Sequence, residues 1–261
     1  MVDQRSVTAI IQARMGSSRL PGKVLIHILG KPLLSYILER LNQVDMIGKI
    51  VVATSLDNED DEIALFCDSI GFEYFRGKQN DVLDRFFKAA KQFPSSHFLR
   101  ITGDCPLVDP ETINDLLELY FTRKFDYCAV ATGAGVAGKD VPGRYPDGLD
   151  AEIFSFRILQ TAWEEANEPL HREHVTPFIW QQPKRFKLGN LYPPKGDYSQ
   201  LRWTVDKQQD LEFIDWVFTE LYSKNHFFNM NDILDLIAKD PQKATVNRDL
   251  IGKEGYEQFW S

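Results

Sequence analysis

The chain has 261 residues and a formal net charge of −8, enough length for one large α/β domain or two small ones and too acidic for broad nucleic-acid binding. It contains no apolar run of about 18 residues that could span a membrane, and its first residues, Met1 to Ser6, lack the apolar core of a signal peptide. Cys67, Cys105 and Cys128 lie far apart in sequence, which suits a reducing cytosol better than a disulfide framework. The expectation is a cytoplasmic protein with neither nucleic acid nor membrane as a partner.

Ala9-Ile10-Ile11 is a short apolar run that reads as a buried strand. It breaks into Gln12-Ala13-Arg14-Met15-Gly16-Ser17-Ser18-Arg19-Leu20-Pro21-Gly22-Lys23, a loop mixing glycine, serine and fixed positive charge. Glycines let successive amides face one point, and such a nest binds anions. Arg14, Arg19 and Lys23 add charge around it, against the acidic average of the chain, so the loop reads as a phosphate cradle; the plain alternative is a basic surface turn. Five residues separate Gly16 from Gly22-Lys23, where a P-loop has four, and Val24 stands where a Ser or Thr would hold magnesium. A G-x-G-x-x-G dinucleotide fingerprint is also absent.

Leu33, Leu34, Ile37, Leu38 and Leu41 recur at helical spacing, and Lys49 to Thr54 reads as a second strand. Asn58 to Glu62 loads acid onto the start of a helix that Gly71 ends. Phe72 to Phe75 is a third strand, Asp81 to Phe93 a helix with Asn80 as its cap, and His97 to Thr102 a fourth strand. Pro110 opens a further helix, and Phe125 to Val130 is a fifth strand. The alternation predicts an α/β fold: a Rossmann-like, mostly parallel mixed sheet with helices on both faces. Thr132 to Arg144 is glycine-rich and reads as a loop, after which Tyr145 to Glu152 resumes order. Helices near 155–167 and 170–181 follow, then strands at Phe186 to Leu191 and Leu201 to Val205, and helices at Gln208 to Tyr222 and Asn231 to Lys239. No linker divides residues 1–261, so a single domain is expected, with a substrate or dimerisation insertion near 132–195. The tail carries two late aromatics, Phe259 and Trp260, poised to dock on the body or on a partner.

Ligands of such sheets sit at the carboxyl ends of the strands. Asp104 follows one strand after the turn at Gly103, and Asp206 follows another. If those strands are neighbours, the two carboxylates can share one divalent cation; magnesium takes one or two carboxylates plus phosphate oxygens and water. The bland reading is a pair of helix-start aspartates. Cys105 has no base paired with it and reads as a small buried residue. His171 and His174, three apart, do not fit a zinc motif and have no evident third ligand.

The stretch Ala-Arg-Met-Gly-Ser-Ser-Arg-Leu-Pro-Gly-Lys at 13–23 resembles the signature of sugar-acid cytidylyltransferases, the 3-deoxy-manno-octulosonate and acylneuraminate enzymes, and within that kinship the spore coat polysaccharide biosynthesis (SpsF) group. Arg-Ile-Thr-Gly-Asp-Cys-Pro at 100–106 and Trp-Thr-Val-Asp-Lys-Gln-Gln-Asp-Leu at 203–211 resemble the two metal-aspartate motifs of the family. The resemblance implies the nucleotide-diphospho-sugar transferase type of fold and transfer of CMP from CTP to a sugar acid or related acceptor, with pyrophosphate released. It implies Mg2+ on Asp104 and Asp206, and Arg14, Lys23 and Asp104 in the chemistry. The nucleotide would meet Ala13, Arg14, Gly16, Ser17, Ser18, Arg19, Lys23, Thr54, Asn80, Asp81 and Gly103. An acceptor is expected at two clusters, Arg144, Tyr145, Asp147 and Asp150 with Arg172, Glu173 and His174, where Arg144 and Arg172 could grip a carboxylate or phosphate. A homodimer is also implied. The strand-end motif departs from the octulosonate enzymes, with Thr102-Gly103-Asp104 in place of Gln-Gly-Asp, and the middle of the chain matches only the SpsF group. Two competing readings share the architecture: a glycosyltransferase using a nucleotide sugar, and a sugar-1-phosphate nucleotidyltransferase. No convincing D-x-D follows an interior strand for the first, and Gln12-Ala13-Arg14 suits the sugar-acid group better than the second. A non-catalytic nucleotide-binding module is the remaining alternative.

Overall fold

A computed structural model describes residues 7–132 and 143–251. Strand β1 (Val7–Gln12) is apolar almost throughout because both its faces are covered. Val7, Ala9 and Ile11 point into one core cluster and Ile10 into the other. A two-residue turn, Leu29 at φ 48° and Gly30 at φ 79°, joins the small ribbon β2 (His27–Ile28) and β3 (Lys31–Pro32), which leads into α1 (Leu33–Leu41). There follow β4 (Ile47–Ser55), α2 (Asp61–Ile70), β5 (Glu73–Gly77), α3 (Val82–Gln92), β6 (His97–Thr102), α4 (Pro110–Arg123) and β7 (Tyr127–Val130). The local signals act as expected at two ends: Gly71 closes α2 in the left-handed conformation, and Pro110 sits in the first turn of α4 behind the capping carboxylate of Asp109.

Past residue 142 the chain forms β8 (Glu152–Ser155), α5 (Phe156–Glu165), α6 (Pro169–His174), α7 (Pro177–Trp180), β9 (Leu188–Leu191), α8 (Gln208–Leu221) and α9 (Met230–Lys239). The seven-stranded sheet runs β5-β4-β1-β6-β8-β7-β9, and only β8 opposes its neighbours. Helices α1, α2, α4, α8 and α9 contribute to the core on one face, and α3, α5 and α7 to the core on the other. This is the mostly parallel, two-faced α/β architecture that the patterns predicted. The middle of the chain, expected as an insertion, gives β8 and β9 to the same sheet.

Three expectations are corrected. Leu201 to Val205 is not a sheet strand; its one bridge, Arg202 to Asp147, pairs it with the 145–150 segment instead. The helix expected over 170–181 breaks at Val175, whose φ of 72° is incompatible with a continuous right-handed helix, and a new helix starts at Pro177, where the missing amide costs nothing. The cap of α3 is Asp81, not Asn80: its carboxylate accepts the Asp84 amide at 3.0 Å. Strand β8 is not among the expected elements, since the ordered stretch was expected only up to Glu152; Glu152, the register partner of Arg100, brings charge into an apolar stretch and blurs the strand pattern. Phe259 and Trp260 lie outside the described residues, as does most of the 132–144 loop.

The register brings Gln12 and Thr102, the ends of β1 and β6, side by side. Gly103 donates its amide to the Gln12 carbonyl at 2.7 Å, and a Cβ there would stand 2.9 Å from that same oxygen. Gly148 is tighter still: at φ 105°, a Cβ would lie 2.4 Å from the carbonyl carbon of Trp203. Gly148→Ala combines a strained backbone with a backbone clash, and unfolding in urea is expected to show a loss of at least about 2 kcal/mol; wild-type stability would mean that the 145–150 segment does not pack on Trp203 and Thr204 in this way.

Candidate active site

A cleft of about 670 Å³ opens at the carboxyl ends of β1 and β6. The cradle forms one wall. Ser17 and Gly22 both donate their amides to the Met15 carbonyl, at 2.8 and 2.9 Å, which curls the loop, and Gly22 at φ 69° turns it into the short helical turn holding Lys23. The loop is anchored from behind by Asp60, a buried carboxylate that accepts the Met15 amide at 2.6 Å and the Ser55 amide at 3.0 Å. Sequence reasoning placed Asp60 only in an acidic helix start; its inward turn depends on contacts with the 13–23 loop and the end of β4 that the local pattern does not carry.

Lys23 reaches across the cleft floor. Its ammonium donates to Asp104 Oδ2 at 2.7 Å and to Asp206 Oδ1 at 2.5 Å, and Arg19 lies 3.1 Å from the same Asp206 oxygen. Burial works against the Lys23 charge, but the carboxylates of Asp104 and Asp206 outweigh it and hold its pKa above the ordinary lysine value. Although 201–205 is no sheet strand, the Asp104 carbonyl accepts the Val205 amide at 2.8 Å and the Thr204 hydroxyl at 3.2 Å, which sets the two aspartates side by side.

These two carboxylates suit a magnesium ion. They already converge on one cationic atom, and hard oxygen donors are what the ion prefers. Among the described residues no group of three or more His, Cys, Asp or Glu gathers as a metal site, so the remaining ligands would be phosphate oxygens and water.

Arg14 is exposed on the cradle wall, and Arg85 of α3 lines the same cleft while donating to the Lys78 and Gln79 carbonyls at 2.6 and 3.2 Å. Burial and the neighbouring Arg14 charge both pull the Arg85 guanidinium below its usual value. Two guanidiniums that repel each other across one cleft favour an anion between them.

The opposite wall carries a polar chain across four strands and the connection between α6 and α7. Arg100 donates to Gln12 Oε1 at 2.5 Å and pairs with Glu152, its register partner in β8; Glu152 also accepts the Tyr127 hydroxyl and, at 2.7 Å, the Thr176 hydroxyl. Gln12, Arg100 and Glu152 line the cleft and were missed from sequence. The available signal was charge inside otherwise apolar strands, since buried charges are kept only with partners. Asp147 and Asp150 line the same side; Asp150 accepts the Thr132 hydroxyl at 2.5 Å and the Gly148 amide at 2.8 Å. His174 and Glu173 complete it, and burial holds the His174 imidazole below its usual value despite the opposing pull of Glu173.

Of the expected site residues, Ala13, Arg14, Gly16, Ser17, Ser18, Arg19, Lys23, Gly103, Asp104, Asp147, Asp150, Glu173, His174 and Asp206 line this cleft. Thr54 is fully buried below it. Asn80 lies outside the lining, as does Asp81, whose carboxylate takes a bidentate grip from Arg172, at 2.7 and 3.0 Å, tying α6 to α3. The structure thus turns one expected nucleotide residue and one expected acceptor residue onto each other. Tyr145 is buried in the core, and the Arg144 amide donates to Asp197 away from the cleft lining. His171 meets Gln181 at 2.8 Å and no second histidine. Burial pushes the Cys105 thiol well up, which favours the protonated form of a small buried residue.

A family profile described as Cytidylyltransferase matches residues 8–239. An uncharacterized protein of Methanocaldococcus jannaschii is 36% identical over 244 residues, covering 92% of this chain and 94% of that protein. The spore coat polysaccharide biosynthesis protein SpsF of Bacillus subtilis is 31% identical over 242 residues, covering 90% and 95%. The solved structure of a cytidylyltransferase from Leptospira borgpetersenii matches with a TM-score of 0.82 at 28% identity, over 92% of this chain and 96% of that one.

Burial raises the pKa of Asp150, with the Thr132 and Gly148 hydrogen bonds opposing it. A carboxyl raised in the folded state binds its proton more tightly there, so ionised Asp150 costs stability above its folded pKa, and the cost vanishes below the unfolded value of about 3.9. Asp150→Asn, which can keep both hydrogen bonds, is therefore expected to melt higher than wild type at pH 7, with the gap closing towards pH 4. A gap that is absent at pH 7, or that widens as pH falls, would contradict this.

Proposed function

The chain belongs to the cytidylyltransferase family, nucleotidyltransferases of the nucleotide-diphospho-sugar transferase fold, and we propose that it transfers a CMP group from CTP to a hydroxyl of a sugar acid or related sugar-type acceptor, in surface polysaccharide or glycoconjugate precursor synthesis. The observation that carries this reading is the convergence of Lys23, Asp104 and Asp206 on the floor of a cleft walled by the basic 13–23 loop. The acceptor oxygen attacks the α-phosphorus in line, the bond to the β-phosphate oxygen breaks, pyrophosphate leaves and the hydroxyl proton passes to solvent. Arg14, Arg19 and Lys23 of the 13–23 loop bind the β- and γ-phosphates and stabilise the charge that grows there as pyrophosphate departs. Asp104 and Asp206 would hold Mg2+, which when bound neutralises phosphate charge and acts as a Lewis acid at the α-phosphate. The acceptor enters beside Asp147, Asp150, Glu173 and His174, on the wall opposite the cradle. The same reading takes the chain as one catalytic domain that works in the cytoplasm as a homodimer, with the 132–195 region facing the acceptor.

The test is pyrophosphate release from CTP and Mg2+ against a panel of sugar acids and neutral sugars. The expected result is release with at least one acceptor, faster with CTP than with UTP, and at least about 100-fold slower in Asp104→Asn. Normal turnover by Asp104→Asn would remove the metal assignment. Transfer from a finished nucleotide sugar, with no pyrophosphate formed, would move the chain to glycosyl transfer.

A further inference from the structure

Arg202 lies directly behind Asp206, and its side chain has no solvent exposure. Its guanidinium meets three carboxylates. Nη1 donates to Asp147 at 2.7 Å, Nε to Asp210 Oδ1 at 2.9 Å, and Nη2 to Asp206 Oδ2 at 3.1 Å and Asp210 Oδ2 at 3.3 Å. Asp210 is scaffold. It is wholly buried, its Oδ2 accepts the backbone amides of Asp206 at 3.0 Å and Lys207 at 2.9 Å, and Asn247 donates to its Oδ1 at 2.9 Å and to the Arg202 carbonyl at 3.0 Å. With Asp210 fixed, the planar fork fixes the guanidinium, and the guanidinium fixes one oxygen of Asp206. The other Asp206 oxygen, Oδ1, is then the one that faces Lys23 and Arg19.

A buried arginine surrounded by aspartates is a costly way merely to join two segments. The number of partners has a consequence: Asp147 and Asp210 share the guanidinium charge, so Asp206 is oriented by it without being neutralised. We propose that Arg202 is a positioning residue that presents Asp206 Oδ1 to the divalent cation of the nucleotide complex. The inference rests on the reading of Asp206 given above and adds to it the residue that sets its geometry.

Charge and position predict opposite results. Removing a positive charge beside Asp206 would by Coulomb attraction alone tighten binding of a divalent cation; losing the orientation weakens it. The experiment measures Mn2+ affinity by paramagnetic resonance at saturating CTP, together with CTP affinity without metal and the melting temperature. Arg202→Lys keeps the charge and loses the fork, and Arg202→Gln loses both; each is expected to weaken Mn2+ at least 10-fold while leaving metal-free CTP binding within about twofold. A lower melting temperature with unchanged or tighter Mn2+ binding would overturn the positioning role and leave Arg202 a structural tie. Should both variants fail to fold, Asn247→Ala, which alters no charge and loosens the support of Arg202 and Asp210, is expected to weaken Mn2+ at least threefold, and wild-type affinity in it would overturn the proposal. A wild type that binds CTP yet never acquires Mn2+ would overturn the metal reading of Asp206 and this inference together, whereas a wild type that acquires it while the variants match it would overturn this inference alone.

Discussion

The Lys23 ammonium between Asp104 and Asp206 is the contact on which the rest of the site depends. Its partners lie 81 and 183 residues away in sequence, so the contact exists only if several other constraints hold at once. The β1–β6 register must set Gln12 beside Thr102, Gly103 must let the two backbones close to contact, and the Asp104 carbonyl must hold the 204–205 segment. Removing one member of such a part-buried cluster leaves opposing charges without partners, which is far more damaging than exchanging a surface ion pair.

Around that contact the cleft is divided by charge. Arg14, Arg19, Lys23 and Arg85 gather on the cradle side, while Asp147, Asp150, Glu152 and Glu173 lie on the other, with Arg100 already engaged by Gln12 and Glu152. The division suits a polyanion on one side and a hydroxyl-bearing group on the other. It is held in place by residues that never face solvent: Asp60 behind the cradle, and Arg202 and Asp210 behind Asp206. Each satisfies backbone amides or fixed carboxylates, so the cleft walls are set before any ligand arrives, the condition under which electrostatic stabilisation needs no reorganisation.

Most of the architecture was legible because the alternation of apolar runs and amphipathic segments is a local signal, and the 13–23 loop stood out because its glycines and cations stand against an acidic chain. What could not be read was partnership. Arg172 looked like a ligand-binding arginine; only tertiary structure shows it gripping Asp81. Leu201 to Val205 has a strand's composition, yet its backbone pairs with the Asp147 segment, a choice made by the close approach that Gly148 permits. Arg100 and Glu152 were hidden by the apolar run around them, although a charge in such a run is itself a sign of a buried polar network. The late motif illustrates both sides: Asp206 stood out from its pattern, while Asp210 reads as ordinary helix-start chemistry and Arg202 as part of an expected strand.

The most direct measurement is the melting temperature of the protein with CTP, UTP, GTP and ATP, each with and without Mg2+, because a ligand that binds only the folded state raises it by mass action and no acceptor is needed. A cradle for a triphosphate with a two-aspartate cation site predicts a magnesium-dependent rise that is largest for CTP. Equal rises for all four nucleotides, a rise indifferent to Mg2+, or a preference for a nucleoside diphosphate would contradict it.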